Sequence, residues 1–271
     1  MRKLMNYFYI ILWVAIGNAA YALEIKGSFQ QGATIRGKVE AGETIKYNQH
    51  WLSLNANREF VFGVGRDAPN QLTLVTYKNN KPEIHRFTVN KRQYDVQRVT
   101  GVPQATIEPS KEQQERIAHE AALVGKARQV DLPLTNFMED FSWPVIGPIS
   151  GVYGSQRVYN NIPGSPHNGV DIAMPVGTPV YAPAGGQITL VHPNMFLSGG
   201  TLILDHGQGL SSTFIHLSKI LVKEGDEITQ GQKIALVGKT GRATGPHLHW
   251  AMNWFTERVD PQLILGDMPK K

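Results

Sequence analysis

The stretch TGPHLHW, Thr244–Trp250, places His247 and His249 on either side of Leu248, with Trp250 following. A repeat of two is the period of a strand, so the two imidazoles share one face and Leu248 and Trp250 the other. Gly245-Pro246 supplies the turn that starts it. A strand with one apolar and one polar face predicts an antiparallel sheet packed on a core on one side only. The imidazole face has two readings: a solvated polar surface, or two ligating groups aimed at one point.

The rest of the chain agrees with a mainly β protein. Its 271 residues contain 27 glycines and 16 prolines, with 41% hydrophobic and 18% charged residues. That length allows one or two domains with a real core, and the turn formers favour sheets over a helical bundle. There is no cysteine, which excludes thiol catalysis and cysteine–zinc sites. Arg2 and Lys3 precede an apolar run, Tyr7–Gly17, and a cut after Ala20-Tyr21-Ala22. This has the form of a secretory leader over residues 1–22. The run is about 11 residues, short of the roughly 20 that span a bilayer. The expected mature chain begins at Leu23. The net charge of +5 falls to +3 without Arg2 and Lys3, an excess suited to an anionic matrix and too small to indicate nucleic acid.

Residues 23–102 read as short strands separated by Gly, Asn and Asp turns, as in TIRGKVEAGETIKYNQHW, QLTLVTY and EIHRFTV. They predict a small β-sandwich of immunoglobulin-like architecture, serving as an accessory module. Residues 103–140 form a predicted helical connector. Ser110 and Gln113 have capping-box spacing, and Ile117, Ala121 and Val124 fall on one face. His119–Leu123 (HEAAL) lacks the second histidine of a helical zinc motif, and Gly238-Lys239-Thr240 lacks the first glycine of a phosphate loop. Residues 141–271 return to strands. PVGTPVYAPAGGQITLV and KEGDEITQGQKIALVG share turn chemistry and suggest similar hairpins packed together.

Six of the nine histidines lie in this last part: His167, His192, His206, His216, His247 and His249. His167 and Asp171, four apart in PHNGVDI, offer an imidazole and a carboxylate, a common zinc pair. With one histidine of the HLH pair they make three protein ligands and leave a fourth position open, the pattern of a catalytic zinc site. His216 matters if its strand neighbours the HLH strand. His206 reads as a turn residue, and neither it nor His192 takes a role.

In order along the chain, SGVYGSQR, PHNGVDIAMPVGTPVYAPAGG, LDHGQGLSSTFIHLSKI and VKEGDEITQGQKIALVGKTGRATGPHLHW resemble the lysostaphin/LytM-type peptidoglycan zinc metalloendopeptidases over Trp143–Pro261. The resemblance implies one zinc ion held by His167, Asp171 and His249, with His216 and His247 as catalytic residues beside it. Arg157 becomes a candidate contact for a substrate carboxylate, against the plainer reading of a structural arginine. The implied activity is an exported endopeptidase, monomeric, acting in the periplasm or envelope. It would cut peptidoglycan cross-links, between D-Ala and a diamino acid, under control of an envelope regulatory protein. The alternative is a non-hydrolytic activator of another wall hydrolase. It is disfavoured because no ligand position departs from the family pattern.

Overall fold

The computed structural model describes residues 23–100, 109–159 and 161–269. The leader assigned to residues 1–22 lies outside the described residues. The chain opens with seven strands: β1 (Glu24–Lys26), β2 (Thr34–Lys38), β3 (Glu43–Tyr47), β4 (His50–Trp51), β5 (Glu59–Gly63), β6 (Gln71–Lys78) and β7 (Lys81–Thr88). They form two sheets, ordered β1-β2-β5 and β4-β3-β6-β7. Taken as A, B, C, C′, E, F and G, this is an immunoglobulin-type sandwich with C′ in place of D. The alternation of the strands builds it. Ile35, Phe60 and Phe62 from one sheet and Ile45, Leu72 and Leu74 from the other point inward into a shared core. Asn79 and Asn80, with φ of 50° and 60°, close the β6–β7 hairpin in the left-handed conformation such two-residue loops need.

The strand β8 (Val96–Val99) then leaves the sandwich, although it lies within residues 23–102. It pairs in parallel with β10 (Gln156–Tyr159), which also pairs with β11 (Ile162–Pro163). Between them runs the helix α1 (Lys111–Arg128). Its capping box is formed: Gln113 N donates to Ser110 Oγ and Ser110 N donates to Gln113 Oε1. The predicted face is off by one position. Ala121 is exposed and Glu120 is buried in its place.

The remaining strands are β9 (Ile149–Gly151), β12 (Val170–Ala173), β13 (Pro179–Tyr181), β14 (Gly186–Met195), β15 (Gly199–Gly207), β16 (Leu210–Leu217), β17 (Lys219–Ile220), β18 (Glu227–Ile228), β19 (Lys233–Leu236), β20 (His247–Trp254) and β21 (Glu257–Val259). The main antiparallel sheet runs β18-β14-β15-β16-β20-β12-β9, with β21 on β20. A second sheet, β13-β19-β17, lies over one of its faces. The two look-alike segments do not form separate hairpins. They interlace, β13 pairing with β19 and β14 with β18. Leu248, Trp250 and Met252 of β20 pack with Phe214, Leu202, Ile234 and Val180 in the core between the sheets. Each such fully buried side chain contributes about 2 kcal/mol. The other face of β20 carries the histidines. The short helix α2 (Pro261–Leu265), capped by Asp260, ends the fold.

The sandwich is joined closely to this second module. On the outer face of β1-β2-β5, Val61 enters the core of the main sheet, and Arg36, paired with it across the strands, donates to the carbonyls of Phe137 and Glu139. Arg92 is paired with the buried Asp260 at 2.7 Å.

Candidate metal centre

The register of β20 builds the site. Asp171 on β12 stands opposite His249, and Ala173 opposite His247; on the other side, Ile215 of β16 stands opposite His249. Both imidazoles therefore share a sheet face with Asp171, while Leu248 and Trp250 are fully buried beneath. His167 precedes β12 and is wrapped by the SGVYGS segment. Its N–H donates to Ser155 O, its carbonyl accepts from Gly154 N, and ring Nδ1 lies 3.0 Å from Val152 O. A carbonyl can only accept, so that nitrogen carries the proton and Nε2 is the free lone pair of the neutral ring.

Three donor atoms converge. His167 Nε2 is 3.0 Å from Asp171 Oδ1 and 3.0 Å from His249 Nδ1, and His249 Nδ1 is 2.8 Å from Asp171 Oδ1. Among the described residues this is the group of three or more His, Cys, Asp or Glu side chains able to hold a metal ion. Neutral imidazoles and a carboxylate repel at such distances unless a proton or a cation lies between them. The electrostatics follow. Burial favours the neutral His167, but the hydrogen bond and charge of Asp171 outweigh it and raise its pKa. Burial also works to raise Asp171, yet hydrogen bonds and charge from His167 and His249 hold it well below the carboxylate range. Burial lowers His249 against the pull of Asp171. Two imidazoles and a carboxylate, with side-chain exposures of 13–23%, suit zinc and leave the centre open to a substrate.

The two further histidines stand at the rim. His247 Nδ1 donates to Gly245 O at 2.8 Å, and its Nε2 is 3.8 Å from Asp171 Oδ1. His216 Nδ1 donates to Thr240 O at 2.8 Å, and its ring centre is 4.7 Å from that of His247. Simple alternation would put His216 on the core face with Phe214. A bulge in β16 prevents this: Phe214 faces Leu202 and Leu217 faces Gly200, so three steps on one strand match two on the other. His216 takes φ +62° there and turns toward the centre. Burial pushes its pKa down to about 4, with the Thr240 carbonyl opposing and His247 and His249 adding to the shift.

Arg157 lies on β10, and its side chain is outside the described residues. His206 is a fully buried strand residue, not a turn residue. Its rings of contact are the carbonyl of Gly185, the hydroxyl of Ser212 and the face of Phe141. Two contributors escaped the reading of the sequence. Thr240, dismissed with the failed phosphate loop, places its carbonyl on His216. Gly151 lets the β9 backbone lie against the Asp171 carboxylate, where a Cβ would collide with it. The glycine-rich run before PHLHW was the available signal for the first.

Comparison with known proteins bears on this arrangement. The family model described as peptidase family M23 matches residues 165–261. Over 88 residues the chain is 46% identical to the peptidoglycan DD-endopeptidase ShyA of Vibrio cholerae, which covers 32% of this chain and 20% of that one. Over 104 residues it is 47% identical to ShyB of the same organism, covering 38% and 24%. The match thus spans about a fifth to a quarter of the length of these relatives. A crystal structure from Pseudomonas aeruginosa assigned to peptidase M23 has a TM-score of 0.69 at 30% identity, covering 88% of this chain and 96% of that one.

Proposed function

The chain belongs to peptidase family M23, and from that premise we propose that it is an exported zinc endopeptidase that hydrolyses peptidoglycan cross-links, those between D-Ala and a diamino acid. The observation that carries this reading is the convergence of three donor atoms within 2.8–3.0 Å, with two more imidazoles on the same rim. One zinc ion would be held by His167, Asp171 and His249, and would supply Lewis acidity toward a peptide carbonyl and a water.

The rest of the chemistry falls to the chain. His216 and His247 each spend Nδ1–H on a backbone carbonyl, so both present a bare Nε2. One such nitrogen accepts a proton from the attacking water and returns it to the leaving amine; the other, once protonated, donates its Nε2–H to the developing oxyanion. The open sheet face accepts an extended peptide, as a cross-link between glycan strands requires. Arg157 remains the candidate contact for a substrate carboxylate. The intact donor set with both rim histidines favours hydrolysis over a non-hydrolytic activating role. The leader-like residues 1–22 and the peptidoglycan substrate support action in the periplasm or envelope, and we take the chain to act there as a monomer.

Substitution separates the roles. His167→Ala is expected to lose bound zinc. His247→Ala should keep zinc and lose at least about 100-fold in turnover of purified sacculi, scored by mass spectrometry of released muropeptides. A zinc-loaded chain inactive on every wall preparation would refute the assignment.

A further inference from the structure

Of the three acids of α1, Glu112, Glu115 and Glu120, only Glu120 is buried. It sits in the stripe formed by Ile117, Val124 and Ala127, where an aliphatic side chain would pack. A carboxylate there is strongly disfavoured unless both oxygens are bonded, and here both are. Oε1 accepts from Arg116 Nε at 2.8 Å and Oε2 from the backbone N–H of Phe196 at 2.8 Å. Arg116 also donates through Nη2 to Asn194 O at 2.7 Å, and its guanidinium lies 5.6 Å from the Phe196 ring centre. Two charged side chains one helical turn apart thus grip the tip of the β14–β15 hairpin.

The far side of that tip belongs to the histidine centre. Ser198 O accepts from His216 N at 2.8 Å, and Leu197 O accepts from Arg242 N at 2.8 Å. Gly200 N donates to Thr240 Oγ1 at 2.9 Å, and a Cβ on Gly199 would collide with Thr240. Thr240 O in turn receives the ring N–H of His216. His216 holds a left-handed backbone conformation that a residue with a Cβ keeps only when its surroundings impose it. Both its backbone and its ring are therefore referred to the hairpin tip. A charge-assisted hydrogen bond fixes an amide in distance and direction, which sliding apolar contact does not.

We propose that Glu120 and Arg116 are positioning residues for His216, making α1 a part of the histidine site although it lies outside residues 165–261. The kinetic consequence rests on the peptidase reading; the positional one does not.

Amide hydrogen exchange of the metal-free full chain tests position without activity. In Glu120→Ala and in Arg116→Ala, the amides of His216 and Arg242 should exchange at least about tenfold faster, while the β16–β20 ladder keeps its protection. On a cross-linked muropeptide, Glu120→Ala should lose about tenfold or more in kcat with KM and zinc content unchanged, and Glu120→Gln, whose amide oxygen still accepts from Phe196 but whose NH2 cannot accept from Arg116, should recover part of it. Arg116→Ala, altered from the exposed side, serves if Glu120→Ala fails to fold. Unchanged exchange at His216 in the folded variants overturns the proposal. So does uniform acceleration across the sheet, which would make Glu120 an ordinary contributor to stability. An unaltered chain that cuts no wall substrate would refute the peptidase reading alone, and the exchange data would still decide the positioning.

Discussion

Asp205 and His206 are adjacent, both buried, and titrate in opposite senses. Burial pushes the Asp205 carboxyl up to about 7, with the Gly207 N–H opposing and Asp131 adding to the rise. Burial pushes His206 down to about 4, against the Gly185 carbonyl and Glu139. Between pH about 4 and 6.5 the folded state keeps His206 and His216 neutral where the unfolded chain would protonate them, so these two groups lose stability as pH falls. Asp205 does the reverse: it is protonated in the fold from its ordinary 3.8 up to about 7, and loses stability as pH rises through that window. Asp205→Asn keeps an oxygen for Gly207 N–H and removes the cost of ionising. It should stabilise the metal-free chain by roughly 1–3 kcal/mol at pH 8 and by nothing measurable at pH 4, read from urea unfolding. None of this was legible in DHGQGL, where Gly207 and Gly209 suggested a turn that included the histidine. The strand runs on through Gly207 and the turn is Gln208-Gly209, with φ of 52° and 77°.

Between elements, small irregularities aim the reactive groups. The Gly151 backbone of β9 lies against the Asp171 carboxylate across a register shift. Gly151→Ala should displace that carboxylate and weaken zinc binding by about 10-fold or more in equilibrium dialysis, although no ligand is changed. The HLH strand was readable because strict alternation needs no partner to be recognised. The β16 bulge was not, since the break depends on the two-against-three match with β15. Phe214 and Leu217, both buried at an odd spacing, were its trace in the sequence. The shift in the face of α1 has a similar origin. Glu120 is buried because a hairpin 76 residues away offers it an N–H, which no local pattern announces.

Over the whole molecule, the sandwich and the sheet module share buried contacts rather than a flexible joint. Val61 belongs to the core of the main sheet, Gly63 brings the β5 backbone against Val259 and Trp254, and Arg92 neutralises Asp260, which is 1% exposed. Arg92→Ala would leave that carboxylate buried without its cation and should cost about 3–5 kcal/mol. Calorimetry of the unaltered chain should show one unfolding transition rather than two. The sandwich strands were legible from their alternation, but the junction was not. Arg36 and Val61 occupy outward positions that on a lone sandwich would meet water. The parallel pair β8–β10 adds a constraint in time. Parallel strands cannot close as a hairpin, and Val96 meets Gln156 sixty positions later in the chain. As the polypeptide is made or threaded, β8 must wait, unpaired, until the module beyond α1 arrives. The final docking of β8 is therefore expected to be among the slow steps of folding.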